Sequence, residues 1–264
     1  MSLSHREIMG IVNLTDDSFF AGSRVGVEGA SERVAQMLAD GADIIDLGGC
    51  STRPGAELVS EEQEWQRIEG ALKSLAQREC RLSIDTYRVG VAERALQMRD
   101  GLIINDISGG SEAMFELVGG VGAEYVLTHS VGAERGASVV ADDADIVSRV
   151  CRFFERRLAE LQRYGAERVI LDVGIGFSGS VENDFRLLGG LSEFARFGLP
   201  VLVGVSRKRL VWQTIGASAE EALGGSLVLG WQALMGGATI LRTHDIAPTR
   251  QMFEIFERYK ALNG

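Results

Sequence analysis

Short apolar runs alternate with longer amphipathic stretches along the whole chain. The runs are IMGIVN (8–13), ADIIDLG (42–48), RLSID (81–85), LIIND (102–106), EYVLTH (124–129), RVILD (168–172), PVLVGV (200–205) and ATILR (238–242). Each is rich in Ile, Val and Leu and nearly continuous. That is the pattern of a strand buried on both faces, as in a parallel sheet. The stretches between them read as helices. Ser60-Glu61-Glu62-Gln63 forms a capping box, and Trp65, Ile68, Leu72 and Leu75 follow at helical spacing. Residues 142–163 put Ile146, Val150, Phe154, Leu158 and Leu161 on one stripe, and 249–261 put Met252, Phe253 and Phe256 together. A Gly-Ala pair precedes four of the runs, at 41–42, 122–123, 165–166 and 237–238, which suits a tight helix-to-strand turn.

Eight strands, each followed by a helix, predict an eightfold β/α barrel, the TIM barrel, as a single domain over 1–264. A doubly wound open sheet is the rival. Gly174-Ile175-Gly176-Phe177-Ser178-Gly179 matches the glycine pattern of a dinucleotide-binding turn, but no acidic residue at the end of a following strand completes that unit.

Composition narrows the function classes. The chain has 264 residues, 45% hydrophobic and 24% charged, which is globular composition. The formal net charge of −10 opposes nucleic-acid binding, which needs clustered Lys and Arg. Any anion site must therefore be local. No apolar run is long enough to span a bilayer, and the opening MSLSHREIMG has no secretory pattern. Three scattered cysteines, Cys50, Cys80 and Cys151, fit reduced thiols in a cytoplasm rather than a disulfide framework. No membrane or nucleic-acid partner is expected.

In such a barrel the chemistry sits at the carboxyl ends of the strands. Those ends carry Asn13, Asp46, Asp85, Asn105-Asp106, His129, Asp172, Ser206-Arg207-Lys208, Arg242 and His244. Asp46, Asp106 and Asp245 read equally well as caps or turn residues, and His129 equally well as a buried structural histidine. Asp85, Asn105, Asp172 and Lys208 suit a flat, nitrogen-rich heterocycle, with carboxylates for its N–H groups and a lysine for a carbonyl oxygen. Arg53, Arg242 and His244 suit a phosphate or diphosphate. Asn13 and Asp17 offer hard oxygen ligands for Mg²⁺, and Asp16 adds a carboxylate beside Asp17. Cys50 lacks a nearby base and is not read as a nucleophile.

These strings resemble the dihydropteroate synthase family of the folate pathway, over about residues 8–251. IMGIVNLTDDSFF resembles its first-strand loop and GADIIDLGGCSTRPGAELVSEEQE its second. SIDTYR, IINDISGG, LDVGIGF, VLVGVSRK and LRTHDIA resemble five further motifs in family order. The resemblance implies a pterin-binding barrel that condenses 6-hydroxymethyl-7,8-dihydropterin diphosphate with 4-aminobenzoate, with Mg²⁺, in a homodimer. It implies pterin contacts from Asp85, Asn105, Asp172 and Lys208. Arg53, Arg242 and His244 would bind the diphosphate, and Asn13 the metal. The aminobenzoate side would be formed by Thr52, Arg53, Phe177 and Arg209, with Asp17 from the first loop joining Asp85, Asp172 and Lys208 in catalysis.

The departures from the family pattern cluster near the aminobenzoate side and in the loops. Asp16 stands where the family usually has Pro, and Ala21-Gly22-Ser23 where it has Asp-Gly-Gly. Cys50 replaces a frequent Glu, Thr128 a Met, and Val173 a Pro. SVGAERGA lacks the usual Pro and Met, Ser178-Gly179 replaces Gly-Lys, and Arg209 replaces a Ser. Two alternatives to a working synthase follow. One is a divergent pterin-binding relative with another acceptor, and the other is a catalytically silent binding protein.

Overall fold

The computed structural model describes residues 6–14, 29–50, 59–131 and 143–263. Strands and helices alternate. β1 (Glu7–Asn13), α1 (Ala30–Ala39), β2 (Ile44–Gly48), α2 (Glu61–Ser74), β3 (Arg81–Asp85), α3 (Val89–Met98), β4 (Ile103–Asp106) and α4 (Glu112–Val121) make the first half. The second half is β5 (Glu124–Thr128), α5 (Ile146–Arg163), β6 (Val169–Asp172), α6 (Val181–Gly189), a 3₁₀ segment Leu191–Phe197, β7 (Val201–Val203), α7 (Arg209–Ile215), α8 (Leu223–Met235), β8 (Ile240–Thr243) and α9 (Ile246–Asn263). The strands close into a barrel in chain order, and β8 pairs parallel with β1. The closed order removes the doubly wound sheet. Every predicted strand is present, with ends shifted by a residue or two.

Helix ends explain why the turns are so short. Gly41, Gly122, Gly165 and Gly237 all have positive φ, between 65° and 103°. The alanine after each donates its N–H to the carbonyl five residues back: Ala42 to Met37, Ala123 to Val118, Ala166 to Leu161 and Ala238 to Ala233, at 2.9–3.2 Å. That left-handed closure satisfies a helix's last carbonyls and aims the chain straight into the next strand. The capping box of α2 is complete: the Gln63 N–H donates to Ser60 Oγ at 3.2 Å and the Ser60 N–H to Gln63 Oε1 at 2.8 Å. α9 starts at Ile246, earlier than the pattern predicts, because Pro248 falls in its first turn, where no N–H is needed.

The inside of the barrel is layered. Met9, Ile44, Ile103, Val126, Ile170, Leu202 and Ile240 form one inner cluster, all but sealed from solvent. A second, larger cluster lies between the strands and the helices. Truncating an inner residue such as Ile170 to alanine would cost about 3 kcal/mol through the cavity it leaves. Strand side chains alternate, so residues two further along each strand share the inner face. Those residues are Ile11, Asp46, Asn105, Thr128, Asp172, Gly204 and Arg242. The apolar layer that closes the barrel therefore carries a largely polar layer on its carboxyl side.

Candidate active site

The strand register sets the first part of the site. Asn13 pairs with Gly48, Gly48 with Asp85, and Asp85 with Asn105, so these four stand in one row across β1 to β4. Gly48 leaves the space between its neighbours open. A Cβ there would lie 3.7 Å from Asp85 Cβ and 3.8 Å from Asn13 Oδ1. Across the mouth, a Cβ on Gly204 would lie 3.5 Å from Lys208 Nζ and 3.7 Å from Arg242 Cβ.

Arg242 connects the two sides. Its Nε donates to Asp46 Oδ2 at 2.7 Å and its Nη2 to Asp85 Oδ2 at 2.6 Å. Asn105 Nδ2 donates to the same Asp46 oxygen at 3.0 Å. Asp172 accepts the Gly174 N–H at 2.8 Å. Lys208 Nζ donates to the Ile175 carbonyl and sits 5.1 Å from the centre of the Phe177 ring, a cation–π contact. The glycine-rich segment after β6 thus wraps the lysine. A Cβ on Gly174 would lie 1.9 Å from the His129 carbonyl oxygen, so glycine is required there for close approach of two chains. This accounts for the dinucleotide-like string by local packing.

Arg207 braces the loop from below. It is a non-glycine residue at φ 54°, a strained conformation. Its guanidinium binds both carboxylate oxygens of Asp245 at 2.8 and 2.9 Å and the carbonyls of Ala219 and Glu220 at 2.9 and 2.6 Å. The neighbouring Ser206 Oγ accepts the His244 N–H at 3.2 Å. Lys208 and His244 are therefore placed by one shared set of bonds.

The electrostatics follow from crowding. Burial pushes the Asp85 carboxyl up to about 7; Arg242 opposes this, and Asp46, Glu64 and Asp106 add to it. Burial also raises Asp172 and lowers Lys208, while the attraction between the two opposes both shifts. For Arg242 burial alone would be depressing, but the Asp46 and Asp85 carboxylates outweigh it and hold the guanidinium above its ordinary value. Burial and then Arg242 push His244 down to about 3, so its imidazole is neutral at neutral pH. Perturbed groups gathered in one mouth are a mark of a functional site.

Of the residues expected from the sequence, Asn13, Asp85, Asn105, Asp172, Phe177, Lys208, Arg242 and His244 come to this mouth. Arg209 is the first residue of α7, exposed, and makes no hydrogen bond or ion pair among the described residues. Asp16, Asp17, Thr52 and Arg53 lie outside the described residues. His129 is fully buried, edge-on to Phe153 at 5.1 Å between ring centres. Cys50 is half-buried, and burial, then Glu64, raises its thiol, which argues against a nucleophile. The three ambiguous aspartates separate. Asp106 accepts from the Ser108 N–H at 2.7 Å and Tyr125 Oη at 2.9 Å, and Asp245 holds Arg207. Asp46 instead accepts from Arg242 and Asn105 inside the mouth, which decides between the cap and site readings the sequence left open. At the family departures, Ser178 Oγ donates to Asp184 at 2.6 Å, and Val173 joins the core.

Comparison with known proteins agrees with this geometry. The pterin-binding enzyme family matches residues 9–244. The chain is 36% identical to the dihydropteroate synthase of Escherichia coli K12 over 262 residues, 97% of this chain and 93% of that one. It is 36% identical to that of Neisseria meningitidis serogroup B over 267 residues, 97% and 94% of the two chains. A Yersinia pestis dihydropteroate synthase structure with a sulfonamide drug complex superposes with a TM-score of 0.90 at 33% identity, covering 100% of this chain and 97% of that one. A Xanthomonas albilineans dihydropteroate synthase in complex with 7,8-dihydropteroate gives 0.85 at 30% identity, covering 99% and 96%. A closed parallel barrel with carboxylates, an amide, a lysine and an arginine at its mouth, matched along nearly its full length, belongs to the dihydropteroate synthase family of pterin-binding enzymes.

Proposed function

We propose that this protein condenses 6-hydroxymethyl-7,8-dihydropterin diphosphate with 4-aminobenzoate, giving 7,8-dihydropteroate and diphosphate. The observation that carries the reading is the meeting, in one mouth, of Asp85, Asn105, Asp172 and Lys208 with Arg242 and His244. The first four suit the pterin ring. The carboxylates accept from its N–H and amino groups, and Lys208 donates to its carbonyl oxygen. Arg242 and neutral His244 donate to the diphosphate, joined by Arg53 from outside the described residues.

The bond that breaks joins the pterin's 6-methylene carbon to the diphosphate oxygen. Positive charge developing on that carbon spreads into the ring, and the Asp172 carboxylate stabilises it. Arg242 and His244 take up the charge of the departing anion. The aminobenzoate nitrogen then bonds to the carbon and loses a proton. Arg209 pairs with the benzoate carboxylate, with Phe177 on the same side, and Thr52 and Asp17 contribute from outside the described residues.

Among the described residues no three acidic, histidine or cysteine side chains gather to hold a metal. Asn13, a single hard oxygen donor beside Asp85, fits an ion that takes its remaining ligands from diphosphate and water. Mg²⁺ bound there would neutralise leaving-group charge.

A homodimer also fits. α8 (LGGSLVLGWQALM) carries no charged residue, and Val228 is 67% exposed. A helix apolar all round needs cover on its outer side. Val228→Glu should convert a dimer to monomer in light scattering, and a wild-type monomer at micromolar concentration would end that reading. No helix among the described residues is long and apolar enough to cross a membrane. The free thiols Cys50, Cys80 and Cys151 fit the cytoplasm.

The test is diphosphate release by purified protein given the pterin diphosphate and Mg²⁺, with and without 4-aminobenzoate. Release that depends on aminobenzoate is expected. Pterin binding without release would remove the condensation and leave a binding protein.

A further inference from the structure

We infer that Asp46 is a positioning residue of the pterin pocket, which fixes the direction of the Asn105 amide and thereby makes Asn105 a hydrogen-bond acceptor toward the ligand. The inference rests on the pterin reading above. Asp46 is fully buried on the inner wall of the barrel. Its Oδ2 is the meeting point of two groups from strands β8 and β4, Arg242 Nε at 2.7 Å and Asn105 Nδ2 at 3.0 Å. A carboxylate held against a guanidinium can only accept. It must therefore face the NH₂ end of Asn105, never the carbonyl end. The amide's direction follows from chemistry rather than from which atom is drawn where.

The other end of the amide is then available. Asn105 Oδ1 is buried and has no partner among the described residues. It belongs to a residue paired in register with Asp85, whose Oδ2 is already taken by Arg242. A buried acceptor without a donor costs free energy in the empty protein and is relieved by a ligand that brings an N–H. Asp46 thus turns an amide, which can present either end, into a one-way reader of ligand donors. Arg242 is bound through the same oxygen, so the heterocycle side and the anion side of the mouth share one anchor.

The test is calorimetric binding of 6-hydroxymethyl-7,8-dihydropterin diphosphate to wild type, Asp46→Asn, Asn105→Leu and the double variant. Thermal melts confirm that each variant is folded. In Asp46→Asn both side chains are amides, and the Asn105 group can turn over. Its dissociation constant should rise about tenfold or more, the value of one buried hydrogen bond made wrong. In the Asn105→Leu background there is no amide left to orient. There the change at Asp46 should cost little further affinity, so the two losses should not add.

Wild-type affinity in Asp46→Asn overturns the inference. Losses that add fully in the double variant also overturn it, because the effect of Asp46 then runs through Arg242 and not through the amide. If wild type itself fails to bind the pterin, the reading of the pocket falls first.

Discussion

At the amino-terminal end of the strands Arg81 bridges two carboxylates, Glu7 and Glu124; at the carboxyl end Arg242 bridges Asp46 and Asp85. The device is the same, one arginine between two acids across the barrel, yet the surroundings differ. At the lower end Arg168 adds a second cation on Glu124, at 3.3 Å, so two acids face two arginines. At the mouth a third acid, Asp172, joins, and burial leaves Asp85 near 7, His244 near 3 and Lys208 lowered. Four inner-wall oxygens, Asp46 Oδ1, Ser83 Oγ, Asn105 Oδ1 and Thr128 Oγ1, also lack partners among the described residues. The lower end satisfies itself and serves stability. The mouth is left to be completed by something that enters it.

The largest effect expected at the mouth is chemical. Asp172→Asn should lower kcat/KM by about 10³-fold while leaving the melting temperature unreduced, since it removes charge stabilisation of the transition state. Steady-state kinetics beside a thermal melt decide it; near-normal turnover would remove Asp172 from the reaction.

Arg81→Met asks the converse of the lower end. Glu7 and Glu124 are only 6% and 5% exposed, and they would lose their bridge. Because Arg81 is itself about a third exposed, the expected loss is about 2 kcal/mol rather than the larger cost of a sealed pair. Urea unfolding should show it, with kcat/KM of the folded protein unchanged. A catalytic defect without a stability defect would merge the two ends into one functional unit.

Asp85→Asn should separate stability from function at one residue. With the folded carboxyl near 7 and the ordinary value 3.8, the native protein holds a proton between those pH values that the unfolded chain releases. Stability therefore falls as pH rises through that window. The variant lacks this loss, so it should be more stable than wild type above pH 7, by about 1 kcal/mol, with the advantage shrinking toward pH 4. Pterin affinity should fall about tenfold over the same range. A stability difference that does not change with pH would contradict the assignment.

The smallest effect belongs to the outer rim. Arg209→Ser should change the KM for 4-aminobenzoate about two- to fivefold, as expected of an exposed pair, with kcat and the pterin KM unmoved. An unchanged aminobenzoate KM would leave Arg209 outside the site.

Much of this was present in the chain itself. Eight β-rich runs, the Gly-Ala pairs and the Ser60–Gln63 box are local signals, and local sterics and hydrogen bonding are enough to make them strands and helix ends. The residues at the strand ends were also legible, because a polar group ending an apolar run has few packing explanations. Asp46 was only half legible. An aspartate in Ile-Ile-Asp-Leu reads equally as a cap and as a site residue, and nothing within its own loop decides. Its partner Arg242 lies 196 residues away. Only closing β8 onto β1 brings the two within hydrogen-bond reach. Asp106 and Asp245 are the same residue type in similar places, yet Asp106 is taken up by Ser108 and Tyr125 and Asp245 by Arg207. Sequence thus determined which residues reach the end of the barrel, because strand period and helix stops are set locally. Tertiary structure alone decided which of them satisfy each other and which remain for a ligand, because that depends on side chains meeting across a closed sheet.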